Sequence, residues 1–147
     1  MATLHKRKWL NGDSIHEGFP IYFRRPELTK NETENLKFRF PQLMVIEHKL
    51  AVVKNNGLPE SEYNLSLLPL DDALLTPFRD EAEGITALVE TFAGRRTYYV
   101  YVGIGFDMQS IQSRISRIFP DEIISWEIKD DANWKVFDGY TRDFKFA

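Results

Sequence analysis

The chain contains no cysteine among its 147 residues. That absence excludes disulfides, thiolate catalysis, iron–sulfur clusters and the common cysteine-bearing structural zinc sites. Charge of one sign is lacking as well: 19 Lys and Arg stand against 22 Asp and Glu, a formal net charge of −3. Such a balance provides no global attraction to nucleic acid or an anionic membrane, so either would need a local patch. Long apolar runs are missing too. No window approaches a membrane span, and Lys6, Arg7 and Lys8 are not followed by the apolar segment of a secretion signal. A cytoplasmic protein is the expectation. There is no Gly-rich phosphate loop followed by Lys, no nucleophile elbow, no zinc spacing and no EF-hand loop. Gly103-Ile104-Gly105 is a turn signal without the longer dinucleotide pattern. No cofactor and no metal are therefore expected.

What the chain does have is core material. Hydrophobic residues make up 43% and aromatics 14%, including eleven Phe, six Tyr and three Trp, which is the composition of a globular protein. Its length suits one domain spanning 1–147, large enough to bury roughly two-thirds of its unfolded surface.

Along the chain, Arg7–Ile15 and Phe19–Arg25 read as a hairpin turning at His16-Glu17-Gly18 and ended by Pro26. Glu27–Lys37 is polar without a clear period and reads as a connecting loop with room for one helical turn. Gln42–Val53 is the strongest strand. Met44, Ile46, His48, Leu50 and Val52 fall on one face, and Leu43, Val45, Glu47, Lys49 and Ala51 on the other. Lys54-Asn55-Asn56-Gly57 supplies a turn, and Pro59 suits the first position of a helix. The helix from Glu60 to about Glu81 must be interrupted, because Pro69 and Pro77 each remove an amide donor. Leu67, Leu70, Leu74 and Phe78 still form a stripe.

Ile85–Phe92 and Arg96–Ile104 are paired strands around Gly94. Simple alternation puts Ile85, Ala87, Val89 and Thr91 on one face with Tyr98, Val100, Val102 and Ile104. Leu88, Glu90 and Phe92 then share the other with Thr97, Tyr99 and Tyr101. Asp107 caps a helix over Met108–Phe119 with an apolar stripe of Met108, Ile111, Ile115 and Ile118, and Pro120 stops it. Ile123–Lys129 is the last strand. The segment 130–147 carries Trp134, Phe137, Tyr140 and Phe144, which predicts a docked tail with a short helix near Trp134.

From Gln42 to Lys129 the order is βαββαβ. The expected fold is α+β: a ferredoxin-like antiparallel sheet over 42–129 with its helices on one face, an N-terminal β-hairpin over 7–25 and an aromatic C-terminal tail over 130–147. The hairpin either extends the sheet or covers part of its free face.

Several motifs resemble a known family. Asn56-Gly57-Leu58-Pro59 before a helix, Gly94-Arg95-Arg96 before an aromatic strand, and Asp130-Asp131-Ala132-Asn133-Trp134 after the last strand are similar to domain-of-unknown-function family 695. Trp9–Arg25 with its Gly-Phe-Pro turn is similar too. The proline interruptions depart from the more regular helix of that family. The family brings no catalytic mechanism. It is distantly similar, in size and plan, to bacterial regulators that bind and restrain an endoribonuclease, which implies a protein partner by analogy.

The candidate partner-binding residues are Arg95, Arg96, Tyr99 and Tyr101, with Trp134 in support. An exposed aromatic strand beside arginines could stack RNA bases. Arg95-Arg96-Thr97-Tyr98-Tyr99-Val100-Tyr101-Val102 lacks the glycine and aromatic order of that motif, and Glu47 and Glu90 share the face. The plainer expectation is that the tyrosines pack under the hairpin or the tail. Arg95 and Arg96 could instead pair with Asp130 and Asp131 of the tail. His48 reads as a hydrogen-bonded core or edge histidine, Asp71-Asp72 as a solvated face and Asp130-Asp131 as helix caps. The leading expectation is a non-enzymatic protein-interaction module, with single-stranded RNA binding and an unrecognised enzyme site as the alternatives.

Overall fold

In the computed structural model of the chain, which describes residues 7–144, a six-stranded antiparallel sheet separates two layers of helix. The hairpin forms first. β1 (Trp9–His16) and β2 (Phe19–Pro26) are joined by Glu17 and Gly18 alone. Both have positive φ, 51° and 83°, the mirror-image turn whose twist matches the strands it connects. Its second strand pairs with β4 (Gly84–Phe92), so the hairpin extends the sheet. The order is β1-β2-β4-β5-β3-β6, where β3 is Gln42–Lys49, β5 is Arg95–Val102 and β6 is Ile123–Asp130.

On the first sheet face, α2 (Ser61–Ser66), α3 (Leu68–Leu75) and a 3-10 turn (Thr76–Phe78) cross from β3 to β4. The breaks fall where Pro69 and Pro77 demand them. Leu67, Leu70, Leu74 and Phe78 are all buried, against Met44, Ile46, Val89, Tyr98, Val100 and Val102. A fourth helix, α4 (Met108–Ile118), completes this layer through Ile111 and Ile115. Its cap is as anticipated, Asp107 Oδ1 accepting from the Ser110 amide at 3.1 Å. Ile118, assigned to the buried stripe by spacing, is exposed past the edge of the packing.

Helices are not confined to that face. α1 (Lys30–Arg39) and α5 (Lys135–Asp143) lie on the second, where Leu36, Phe40, Trp134 and Phe137 pack on Leu43, Ile85, Ala87 and Tyr101. Where a loop was expected, α1 stands. Its apolar content is too small to show a period, since Leu36 is its one buried residue. It is held instead by a reciprocal capping box. Thr29 Oγ1 accepts from the Glu32 amide at 3.1 Å, and Glu32 Oε1 accepts from the Thr29 amide at 3.0 Å. Arg7 clamps the same glutamate at 2.5 Å and also grips Glu81.

Two details of register depart from simple alternation. β3 stops at Lys49 rather than Val53, because its partner β5 begins at Arg95; the Leu50 amide makes one last bond in that register, to the Gly94 carbonyl at 2.9 Å. In β4 a bulge falls between Thr86 and Leu88. It reverses parity. Val89 and Thr91 stay on the first face opposite Tyr98 and Arg96. Ile85 instead lies opposite Tyr101 and, with Ala87, joins the second-face core.

Candidate functional site

The two turn arginines are neighbours in sequence and strangers in space. Successive strand residues point to opposite faces. Arg96 lies on the first face, its Nε donating to Thr91 Oγ1 at 3.1 Å and its Nη2 to Asn64 Oδ1 of α2 at 2.8 Å. Arg95 lies on the second, 64% exposed, with Nε 3.4 Å from Glu47 Oε1. The tip itself is docked. The Gly94 amide donates to the Gly57 carbonyl at 2.8 Å, which packs the Asn56-Gly57 turn under Ala93. Neither arginine reaches Asp130 or Asp131. Register forbids it: Arg95 is paired with Lys49 at one end of β3, and Asp130 with Gln42 at the other.

Of the two aspartates expected to cap a helix, Asp131 does so and Asp130 does not. Asp131 Oδ1 accepts from the Lys135 amide at 2.9 Å and Oδ2 from the Val136 amide at 3.2 Å, satisfying orphan donors of α5. Asp130 accepts from Gln42 Nε2 at 3.0 Å. The Tyr101 hydroxyl donates to Asp131 Oδ2 at 2.7 Å, and its ring stacks on Trp134 at 4.1 Å between centroids. Trp134 Nε1 in turn donates to the Phe40 carbonyl at 2.9 Å. Both Tyr101 and Trp134 have 0% exposure. They join the tail to the sheet and present nothing to solvent. Burial, followed by the Asp131 bond, pushes the Tyr101 phenol far above its ordinary range, so it remains a neutral donor.

Tyr99 is half-buried and shares a hydroxyl contact of 3.1 Å with Tyr140. Tyr140 also donates to Glu90. Burial is the main cause that pushes Tyr99 up to about 12 and lifts Glu90 above the usual carboxylate range. A groove of about 400 Å³ opens beside this cluster, with His16, Phe92, Lys135 and Asp143 among its walls.

No helix among the described residues covers the remainder of the second face. Cross-strand register sets out its rows. Phe92, Arg95, Lys49 and Ile123 form one, then Glu90, Thr97, Glu47 and Ser125, then Leu88, Tyr99, Val45 and Glu127. Arg95, Lys49, Ser125, Glu127 and Ile123 are exposed. The face therefore mixes cations with three glutamates around a partly covered tyrosine.

Other polar groups are internal ties. His48, 1% exposed, meets Glu122 Oε2 at 2.7 Å. Tyr63 donates to the same oxygen at 3.2 Å and accepts from the Ala51 amide at 2.9 Å. His48 is thus the hydrogen-bonded core histidine its position suggested, but its partner Glu122, 74 residues away in sequence, carried no local signal. Asp71 is not a solvated residue. It receives Arg24 Nη2 at 2.9 Å and the Tyr98 hydroxyl at 2.5 Å, while Asp72 faces outward to Arg79. Burial opposes the Asp71 charge, yet Arg24 outweighs it and holds the carboxyl below its ordinary value. Among the described residues no group of three His, Cys, Asp or Glu could hold a metal ion. No helix among them is long and apolar enough to cross a membrane.

Fold and face together define an α+β protein whose tail helix locks onto one side of an antiparallel sheet and leaves part of that side open. The model of a family of unknown function, DUF695, matches residues 9–140, and the chain belongs to that family. No curated protein and no solved structure matches the chain.

Proposed function

We propose that this is a non-enzymatic protein-interaction module that docks a partner on the uncovered second face around Arg95 and Tyr99. The carrying observation is that face itself: Arg95, Lys49 and Ile123 stand exposed in one row on three adjacent strands with Glu127 exposed further along, and no helix among the described residues lies over them. Mixed charge around an apolar residue suits a protein surface of complementary pattern. It suits phosphate poorly, because Glu47, Glu90 and Glu127 flank the cations. RNA stacking on the tyrosines is disfavoured further by the burial of Tyr101 beneath Trp134.

The finer architecture belongs to the same reading. We take residues 42–129 as a ferredoxin-like core, supported by the strand order β6-β3-β5-β4 and by crossovers through α2–α3 and through α4. On that basis a nuclease held by a cytoplasmic regulator is the first partner class to try. That choice rests on the distant likeness of the family to ribonuclease regulators.

The test is a capture with the folded protein as bait, with and without ribonuclease, repeated with Arg95→Glu. The Arg79→Glu variant on the opposite side serves as the control. A partner retained after ribonuclease, lost with Arg95→Glu and kept with Arg79→Glu supports the reading. A central contact should be worth about 2 kcal/mol or more. Binding of single-stranded RNA that weakens steeply with salt would replace this proposal with the RNA one.

A further inference from the structure

The sheet has two edges, and they are protected unequally. β6 carries exposed Glu127, Lys129 and Asp130, charges of the kind that discourage another strand from pairing. β1 reads Trp9-Leu10-Asn11-Gly12-Asp13-Ser14-Ile15-His16, with one carboxylate, no Lys and no Pro. Trp9 is 37% and Ile15 69% exposed on it. Among the described residues no strand lies beyond β1.

Which of its backbone groups are free follows from the turn. A two-residue mirror-image turn closes on a hydrogen-bonded pair, here His16 with Phe19. Alternate pairs down the ladder are bonded inward: Ser14 with Ile21, Gly12 with Phe23 and Leu10 with Arg25. The next even position continues the pattern, the Lys8 carbonyl accepting from the Glu27 amide at 2.7 Å. Trp9, Asn11, Asp13 and Ile15 therefore aim their amides and carbonyls outward, and their side chains all lie on the first face.

We infer that β1 pairs antiparallel with β1 of a second copy of this chain, about a two-fold axis at Gly12. In that register Trp9 lies opposite the partner's Ile15 and Asn11 opposite the partner's Asp13, each pair occurring twice. The outward backbone groups meet one another, and each exposed apolar side chain gains an apolar neighbour. Neighbouring registers fail. Sliding one way sets Asp13 against its own copy, two like charges face to face. Sliding the other way sets Trp9 against Asp13 and Ile15 against Arg7. The strand is self-complementary in one register, and this edge is distinct from the Arg95 face.

The experiment is sedimentation velocity from micromolar to millimolar chain, on the wild type and on Asp13→Pro. The Asp13 amide points outward, so proline there blocks the edge while leaving the hairpin ladder intact. The wild type is expected to reach the dimer coefficient and Asp13→Pro to stay at the monomer value with an unchanged circular dichroism spectrum. If Asp13→Pro does not fold, Ile15→Lys replaces it. Register is read separately in this cysteine-free chain. Two Gly12→Cys residues at the axis form a non-hydrogen-bonded pair about 4.5 Å apart in Cα, within disulfide reach. Gly12→Cys should oxidise to a covalent dimer far faster than Ser14→Cys, which faces the partner's Leu10. A wild type that stays monomeric at millimolar chain, a dimer indifferent to both edge variants, or equal cross-linking of the two cysteines would each overturn the inference.

Discussion

Replacing Tyr101 by Phe removes one oxygen from the junction of sheet and tail and nothing else. The ring is fully buried and stacked on Trp134, so the phenylalanine keeps its packing. The lost hydroxyl donates to Asp131 Oδ2 at 2.7 Å and accepts from the Phe137 amide at 3.3 Å. A hydrogen bond to a charged acceptor contributes about 1.5–3 kcal/mol. The Phe137 amide is one of the first-turn donors of α5, which have no partner within the helix. Losing its long contact adds a smaller cost. Asp131 still accepts from Lys135 and Val136, so its charge is not left bare. We therefore expect a loss of about 2–3 kcal/mol, a fall in midpoint of roughly 5–10 °C for a chain of this size. Urea and thermal unfolding followed by circular dichroism measure it. Hydrogen exchange should quicken first at Val136 and Phe137. A double-mutant cycle with Asp131→Ala isolates the pair. A loss under about 0.5 kcal/mol, or a coupling energy near zero, would refute the claim that this bond fastens the tail.

Four other outcomes follow from the same structure. Gly57→Ala should cost roughly 1–3 kcal/mol, because φ is +84° and a Cβ there would stand 2.8 Å from the Ala93 Cα; a stability indistinguishable from wild type in urea would count against the docked turn. Thr86→Val should be neutral or stabilising by about 1 kcal/mol, since Oγ1 is buried without a hydrogen-bond partner, and a clear loss in the same assay would show a partner. Glu32 is held down to about 2, first by the Arg7 hydrogen bond and then by the Thr29 amide. Its stabilising share is present above the ordinary value of 4.5 and disappears as pH falls through 2, so acid titration of Glu32→Gln should show a flatter slope there. Glu90 has the opposite sign. Burial raises it, so the folded state holds its proton more tightly, and wild-type stability should drop as pH climbs past 4.5; melts of Glu90→Gln should lack that drop.

Local chemistry decided much of this protein before any tertiary contact formed. Glu17-Gly18 and Ala93-Gly94 set the hairpins, Pro69 and Pro77 cut the crossover helix, Asp107 started α4, and aromatic density in the tail required docking. Alternation alone placed Met44, Ile46 and His48 on a buried face. These signals lie within a few residues of the structure they specify, which is why a single sequence exposes them. The capping box Thr29–Glu32 was equally local, and it marked α1 although hydrophobic period did not.

Tertiary structure decided what no short window holds. The bulge at Ala87 reverses the parity of β4, and nothing in the flanking residues marks it, because it depends on how two long strands and two helix layers fit together. Register separates Arg95 from Asp130 by the length of β3. The tail's choice of where to lie buries Tyr101 and Trp134, half-covers Tyr99 and leaves Arg95 exposed beside Glu47. Sequence supplied five candidate residues. Three-dimensional packing sorted them into anchors and surface, since accessibility is a property of what comes to rest on a side chain and not of the side chain itself.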